Sequence, residues 1–310
     1  MENSVIEVKH LSKEFKDTKA VDDLSFTVLR GDVYGFLGQN GAGKSTTMRM
    51  LLTLIEPSSG EIEIFGKSLT KYRSEILQQV GAVIEKPDLY KYLSAYDNLS
   101  IFARLSGLKP TRSLIMNQLE MVGLADRAQS KVRTFSQGMK QRLGIAVALV
   151  HNPALILLDE PTNGLDPQGI ADIRNLILQL SREMGKTVLI SSHLLSEIEL
   201  VANRMIIIHK GRKMIEGLVD ELLDPAHTLI EINAIDNHLA LQQIEASPFR
   251  HQLLPGKSIR LEMNKMEVPV LISTLTNNGV QLLSVNASHS LENYFLSLTT
   301  QTGHVEPFAN

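Results

Sequence analysis

The stretch GQNGAGKS, residues 38–45, has the residue types and the spacing that bind phosphate groups. Its glycines allow successive backbone N–H groups to turn toward phosphate oxygens. In this spacing the Lys44 ammonium reaches the outer phosphates, and the Ser45 hydroxyl is a ligand for Mg²⁺. The apolar run from Val33 to Leu37 enters the loop as a strand, and Ser45 to Leu54 follows it as a helix. This context favours a phosphate loop over a flexible glycine turn.

Two acidic residues close the apolar run in LILLDEP, residues 155–161. A buried strand of an α/β sheet presents ligand-binding groups at its carboxyl end. Asp159 is expected to hold Mg²⁺, directly or through water, and Glu160 to polarise an attacking water. The alternative, an ordinary strand-end turn with solvated acids, is disfavoured by the phosphate loop. His193 ends the next predicted strand and is a weaker candidate, for contact with the terminal phosphate or the water.

A second possible anion site lies in FSQGMKQRL, residues 135–143, where Ser136, Gln137 and Gly138 precede a predicted helix. The start of a helix offers free N–H groups and the positive end of the helix dipole. A helical stretch and a long separation in the chain make it difficult for this turn to cover the nucleotide of its own phosphate loop. A head-to-tail pair of subunits solves the problem, because each turn then closes the partner's loop around a nucleotide. The alternative is an ordinary helix with Ser136 as its N-cap.

Composition limits the class of protein. The chain has 310 residues, with 31 Lys and Arg against 34 Asp and Glu, and a formal net charge of -3. This slightly acidic balance disfavours nucleic acid as the main partner. The chain has no cysteine, which excludes disulfides and thiolate metal sites and is compatible with a reducing cytosol. Neither a signal-type N-terminus nor a membrane-spanning apolar run is found, so the chain is expected to be soluble by itself.

Strand and helix patterns alternate up to about residue 217 and predict an α/β core with a mainly parallel sheet. The expected strands are 5–10, 24–29, 33–37, 61–65, 154–158, 187–191 and 205–209, and helical spacing covers 45–54, 94–122, 137–150 and 170–184. Over residues 218–310 we expect a small, separate α+β domain. Its predicted order is strand 228–233, helix 236–245, strand 258–263, helix 267–277, strand 280–286 and helix 290–298.

These motifs together resemble the ATP-binding subunits of ABC transporters over about residues 4–217. Five elements follow that family's order: the phosphate loop GQNGAGKST, the signature FSQGMKQR, the strand LILLDEP, the turn NGLDP and the switch histidine. The resemblance implies a P-loop ATPase core over 1–217, with an N-terminal antiparallel β subdomain and a helical subdomain at about 86–150. It also implies ATP and Mg²⁺ as cofactors, a head-to-tail homodimer or heterodimer, and a separate integral membrane permease. Such a subunit works at the cytoplasmic face of the membrane.

The resemblance also implies roles for single residues. Lys44, Glu160 and His193 are expected to be catalytic, and Asp166 to lie across the dimer interface. Phe15 is expected to stack on the adenine, since an aromatic ring suits that contact, although it could instead be a core residue. The phosphate-loop residues expected to bind the nucleotide are Gly38, Gln39, Asn40, Gly41, Ala42, Gly43, Lys44, Ser45 and Thr46.

The signature differs from the family's LSGGQ-like pattern at Phe135, Gln137 and Met139. It keeps Ser136 and Gly138, which the pattern aims at phosphate. All three residues from Ser136 to Gly138 remain candidates for nucleotide binding.

Glu85 marks a second difference, because the family normally has a glutamine where this chain reads VGAVIEKPDLY. A carboxylate can still ligate Mg²⁺, so Glu85 joins Ser45 and Asp159 as a metal candidate, although simple drift from glutamine is an alternative. The glutamate, the signature and a SLENYF segment at 290–295 resemble the branch of bacitracin-resistance and lantibiotic-immunity exporters. That resemblance implies export of a peptide antibiotic. The aromatic residues after Glu85, Tyr90 among them, are either docking contacts for the permease or part of the subdomain core.

Three alternatives compete with this interpretation. A soluble ABC ATPase acting on ribosomes usually has two cassettes in one chain, and one acting on DNA has a long coiled coil; this chain has neither feature. A non-enzymatic module is disfavoured because every catalytic position is filled. Import, or export of lipids and other substrates, is the remaining alternative for the transported cargo.

Overall fold

The computed structural model describes residues 4–223, 228–256 and 258–289. The chain divides into two compact units between Leu218 and Val219, one residue beyond the boundary that the sequence predicts. No helix in the described segments is long and apolar enough to cross a bilayer.

The first unit contains two sheets and several helices. Its strands are β1 (Ser4–Phe15), β2 (Thr18–Leu29), β3 (Val33–Gly38), β4 (Ser59–Ile64), β5 (Lys67–Ser68), β6 (Val80–Val83), β7 (Leu155–Asp159), β8 (Thr187–Ser192), β9 (Arg204–His209) and β10 (Arg212–Leu218). Its helices are α1 (Lys44–Leu51), α2 (Arg73–Leu77), α3 (Ala95–Leu105), α4 (Arg112–Met121), α5 (Gln137–Leu149), α6 (Pro167–Arg182) and α7 (Leu195–Glu199).

The main sheet has the strand order β10-β9-β3-β8-β7-β6. Every neighbouring pair is parallel except β9 and β10, so the predicted α/β core with a mainly parallel sheet is confirmed. The central strands β3, β7 and β8 are buried along their whole length, as expected for parallel strands covered on both faces. Their carboxyl ends lie at one edge of the sheet, which positions the phosphate loop beside the residues that follow β7 and β8.

A second, antiparallel sheet has the order β2-β1-β4-β5. Its apolar face packs against the main sheet, and residues such as Ile6 and Leu24 form one core with Phe36 of β3. The predicted strands 5–10 and 24–29 are too short, because β1 and β2 each contain 12 residues. Irregular pairing around His10 and Asp23, both at positive φ, interrupts the alternating pattern without ending the strands.

The structure corrects other predicted bounds. The helical pattern over 94–122 forms two helices, α3 and α4, since Gly107 at φ 78° and Pro110 interrupt it. The predicted helix 45–54 ends earlier, at Leu51. The predicted elements of the first unit did not include strands β5, β6 and β10 or helices α2 and α7.

The second unit begins with the short helix α8 (Val219–Leu222). It then contains β11 (Thr228–Ala234), α9 (Asn237–Glu245), β12 (Leu253–Leu254), β13 (Ile259–Met263), α10 (Val268–Asn277) and β14 (Leu282–His289). Its antiparallel sheet has the order β12-β13-β11-β14, and residues such as Ile232, Leu261 and Leu271 form its core with the two longer helices. The predicted helix 290–298, with the SLENYF segment, lies outside the described residues.

Candidate nucleotide site

A cleft of about 560 Å³ lies between the phosphate loop and the N-terminal sheet. Its lining residues are Phe15, Thr18, Lys19, Ala20, Gln39, Asn40, Gly41, Gly43, Lys44, Ser45, Thr46, Glu160 and Lys210. Most of the residues predicted for the phosphate loop, together with Phe15 and Glu160, therefore lie around one cleft. The other two phosphate-loop residues, Gly38 and Ala42, are buried and do not line the cleft.

The phosphate loop connects β3 to α1 through a backbone that requires glycine. Gly43 has φ 106°, and a Cβ there would come within 2.6 Å of the Ala20 carbonyl oxygen, so only glycine fits. Gly43 is also the N-cap of α1 and supplies no side-chain cap. The first N–H groups of α1 are therefore left for an anion at this end of the cleft.

Lys44 is buried, with 4 % of its surface exposed. Its Nζ donates hydrogen bonds to the carbonyl oxygens of Gly38 at 2.6 Å and Gln39 at 3.1 Å. The same Nζ lies 3.0 Å from Glu160 Oε1. A buried ammonium needs such partners because desolvating an unpaired charge is costly. The phosphate loop and the end of β7 thus meet at the Lys44 side chain.

Asp159 and Glu160 are held by the neighbouring strand. Asp159 pairs with Ser191 in the parallel register of β7 and β8. The Ser191 hydroxyl donates to Asp159 Oδ1 at 2.6 Å and accepts from the Glu160 N–H at 2.9 Å. The sequence analysis missed Ser191, because its contact depends on which strands are neighbours; its only signal was its position two residues before His193.

The Glu160 carboxylate connects the two halves of the cleft. Its Oε1 faces Lys44, and its Oε2 lies 2.9 Å from His193 Nδ1. Glu160 itself has φ 46°, a left-handed conformation that is unfavourable for a residue other than glycine. The structure therefore brings together the three residues predicted to be catalytic.

Four of the predicted nucleotide-binding residues do not line the cleft: Ser136, Gln137, Gly138 and Asp166. Ser136 caps α5, since its Oγ accepts from the Met139 N–H at 3.2 Å. Asp166 caps α6, since its Oδ1 accepts from the Gly169 N–H at 3.0 Å. The Gln137 side chain donates to the Asn163 carbonyl oxygen at 3.3 Å. The signature and the NGLDP turn are thus adjacent in one chain and do not reach its own phosphate loop.

Phe15 lies at the end of β1 and is 45 % exposed, so it is not a core residue. The Lys13 ammonium lies 5.0 Å from the centre of its ring. Its exposed ring at the cleft is available for stacking against a planar group.

The structure does not place Glu85 with the other two metal candidates. Its side chain is 63 % exposed, forms an ion pair with Arg49 of α1, and does not line the cleft. Ser45 lines the cleft and Asp159 lies beneath Glu160. No group of three or more histidines and acids in the described segments is arranged to hold a metal ion. Of the metal candidates, Ser45 thus lines the cleft, and Asp159 is buried next to Glu160 in the chain.

The parallel strand β3, the phosphate loop and the acids after β7 define a P-loop nucleotide hydrolase. A family model described as ABC transporter matches residues 21–163. The chain is 42% identical over 305 residues to the uncharacterized ABC transporter ATP-binding protein YhcH of Bacillus subtilis (strain 168), covering 96% of this chain and 97% of that one. It is 42% identical over 299 residues to the bacitracin transport ATP-binding protein BcrA of Bacillus licheniformis, with the same coverage.

A shorter relative and solved structures agree with these matches. The lantibiotic transport ATP-binding protein SrtF of Streptococcus pyogenes is 40% identical over 216 residues, which are 70% of this chain and 92% of SrtF. A solved ATP-binding subunit of an ABC transporter superposes with a TM-score of 0.62 at 32% identity, over 70% of this chain and 91% of that one. The dimeric ATP-binding cassette MJ0796, solved with ADP and Pi, superposes with a TM-score of 0.61 at 25% identity, over 69% of this chain and 98% of that one.

The chain belongs to the ATP-binding proteins of ABC transporters, as the sequence predicted. It is an ATPase subunit that binds ATP, and proteins of this family dimerise and work with membrane permeases.

Proposed function

We propose that this subunit hydrolyses ATP to drive export of a peptide antibiotic through a separate membrane permease. The observation that carries the catalytic part is the Glu160 carboxylate, held between Lys44 and His193 at the cleft. The likeness to relatives named for bacitracin and lantibiotic transport supports the cargo.

Lys44 and the N–H groups of the phosphate loop bind the β- and γ-phosphates in this proposal. A phosphate oxygen competes with Glu160 for the Lys44 ammonium, because both are anions that need the same buried cation. Glu160 is then free to orient the attacking water, while His193 contacts the terminal phosphate or that water. The Lys44 charge and the loop amides stabilise the charge that develops on the transferred group.

The oxygen atoms of Ser45, which lines the cleft, and of Asp159, which precedes the cleft residue Glu160, are of the kind that holds Mg²⁺. Ser191 occupies Asp159 Oδ1, which leaves Oδ2 for a cation, and the Ser45 hydroxyl is a second oxygen ligand. Oxygen donors of this kind suit Mg²⁺, which usually completes its coordination with phosphate oxygens and water. Held by Ser45 and Asp159, Mg²⁺ would neutralise part of the phosphate charge.

Two copies of the chain, or this chain and a relative, complete the site. Each Ser136–Gly138 turn contacts the nucleotide held by the partner's phosphate loop, and Asp166 lies at the same interface. This arrangement is supported by the lining of the chain's own cleft, which does not include the turn, and by the dimeric solved structure. Binding of ATP closes the pair, and hydrolysis reopens it.

The motion is passed to the permease at the cytoplasmic face of the membrane through the segment after Glu85. Tyr90 and Tyr92 of that segment are exposed, and exposed aromatic rings are frequent in protein interfaces. The second unit is an accessory domain of this assembly.

The test deletes the gene for this chain in its native cell and measures the susceptibility of the cells to bacitracin and to a lantibiotic. We expect the deletion to increase susceptibility to at least one of them, wild-type chain to restore resistance, and Glu160→Gln to fail to restore it. As a control, an immunoblot checks that the wild-type and Glu160→Gln chains are expressed at the same level. An ATPase-active chain whose loss leaves both susceptibilities unchanged would contradict the proposed cargo.

A further inference from the structure

Glu85 is joined to the helix that follows the phosphate loop. Its carboxylate forms an ion pair with the Arg49 guanidinium, and Arg49 lies about one helical turn beyond Ser45 in α1. Glu85 has φ 60°, a backbone conformation that a non-glycine residue keeps where its surroundings hold it. The ion pair is one such restraint.

Two residues later, the same loop is pressed against α5. A Cβ added at Gly144 would lie 2.4 Å from Pro87 Cγ and 2.5 Å from Pro87 Cβ. Pro87 therefore approaches the α5 backbone more closely than any other residue at position 144 would allow. Because α5 begins at the Ser136–Gly138 turn, loop 85–87 contacts both helices that carry predicted phosphate-binding segments.

The ion pair also compensates the negative charge of the Glu85 carboxylate. A carboxylate close to a phosphate-binding helix adds repulsion that a neutral glutamine does not. The Arg49 guanidinium cancels this charge directly, and Arg49 itself does not line the cleft. Among the polar contacts of the described residues, the side chain of Glu85 has Arg49 as its partner.

We propose that Arg49 is a positioning residue for Glu85, which neutralises the carboxylate and holds loop 85–87 between α1 and α5. Loop 85–87 is thereby fixed both to the helix that follows the phosphate loop and to the helix that follows the Ser136–Gly138 turn. This inference rests on the proposed function, since it concerns how the two phosphate-binding segments of one chain are coupled.

A second ion pair of the same unit provides a matched control. Lys67 and Glu75 are 38% and 52% exposed, against 38% and 63% for Arg49 and Glu85. Neither Lys67 nor Glu75 lines the cleft. Exposed pairs contribute little to stability, so a specific effect of the Arg49 pair on nucleotide use reflects its position.

The experiment is a double-mutant cycle with the full chain. Arg49→Gln, Glu85→Gln and the double variant are compared with Lys67→Gln, Glu75→Gln and their double variant, for KM and kcat of ATP hydrolysis. We expect Arg49→Gln to raise KM about fivefold, the scale of a broken ion pair, with little change in kcat. The double variant should return KM to within about twofold of wild type, and the control cycle should show no coupling.

Hydrogen exchange without nucleotide gives a readout that does not depend on turnover. Arg49→Gln should speed amide exchange in loop 85–93 and at the first turn of α5, and Lys67→Gln should not. Additive KM changes in an active enzyme, coupling of equal size in the control cycle, or unchanged exchange at α5 would overturn this inference alone. A wild-type chain without ATPase activity would overturn the proposed function together with it.

Discussion

At the scale of single residues, the Glu160 carboxylate has one charged or polar partner on each of its oxygens. Lys44 Nζ lies 3.0 Å from one oxygen and His193 Nδ1 lies 2.9 Å from the other. Under the proposed function, only a bound phosphate releases Glu160 by taking Lys44. The glutamate would then be available for catalysis only while nucleotide occupies the loop.

Phe15 offers a separate test of how the nucleotide lies in the cleft. Phe15→Ala should weaken ATP binding about tenfold, because stacking of a base on an aromatic ring is worth about 1–3 kcal/mol. Phe15→Tyr keeps the ring and should bind ATP as wild type does. Equilibrium binding of ATP is compared with that of tripolyphosphate, which lacks a base. Equal weakening for both ligands, or none for ATP, would exclude stacking at Phe15.

At the scale of elements, strands with one uninterrupted pattern could be predicted from the sequence. β7 is apolar until it ends at Asp159 and was predicted to within one residue. β1 and β2 were predicted too short, since irregular pairing near His10 and Asp23 shifts the alternation that identifies a strand. β10 was missed because it is an edge strand with little burial.

The candidate site divides in the same way. Lys44, Asp159 and Glu160 belong to contiguous motifs, so their chemical roles could be predicted from the residue types and their spacing. The contacts made by Ser191 and Arg49 join segments that are far apart in the chain. Such contacts depend on strand order and helix packing, which local patterns do not contain.

Packing of α5 against loop 85–87 predicts a stability effect. Gly144→Ala should lower the free energy of unfolding by about 1–3 kcal/mol, since the added Cβ would overlap Pro87. Pro87→Gly removes both atoms that the added Cβ would overlap, so Gly144→Ala should cost much less stability in a Pro87→Gly chain than in wild type. Thermal unfolding of both single variants and the double variant measures it. A Gly144→Ala chain as stable as wild type would show that this contact is not tight.

At the scale of the whole molecule, the proposed function requires a second chain to complete the nucleotide site. The cleft of one chain is lined by the phosphate loop, Phe15 and Glu160, whereas Ser136–Gly138 do not line it. SrtF aligns over 92% of its own length with only 70% of this chain, and the phosphate loop and the Ser136–Gly138 turn both belong to the first unit. The first unit is therefore where the ATP-dependent pairing of two copies should be sought.

The most direct test of the account is the mass of Glu160→Gln in solution, measured by light scattering with and without Mg²⁺ and ATP. The variant should bind ATP without hydrolysing it, and ATP should convert it from one chain of 34.4 kDa to a species of twice that mass. The same variant with Lys44→Ala, which loses its phosphate-binding cation, should remain a single chain. A Glu160→Gln chain that stays at 34.4 kDa with ATP bound would contradict the pairing of two identical copies, and one that hydrolyses ATP at the wild-type rate would contradict the role of Glu160.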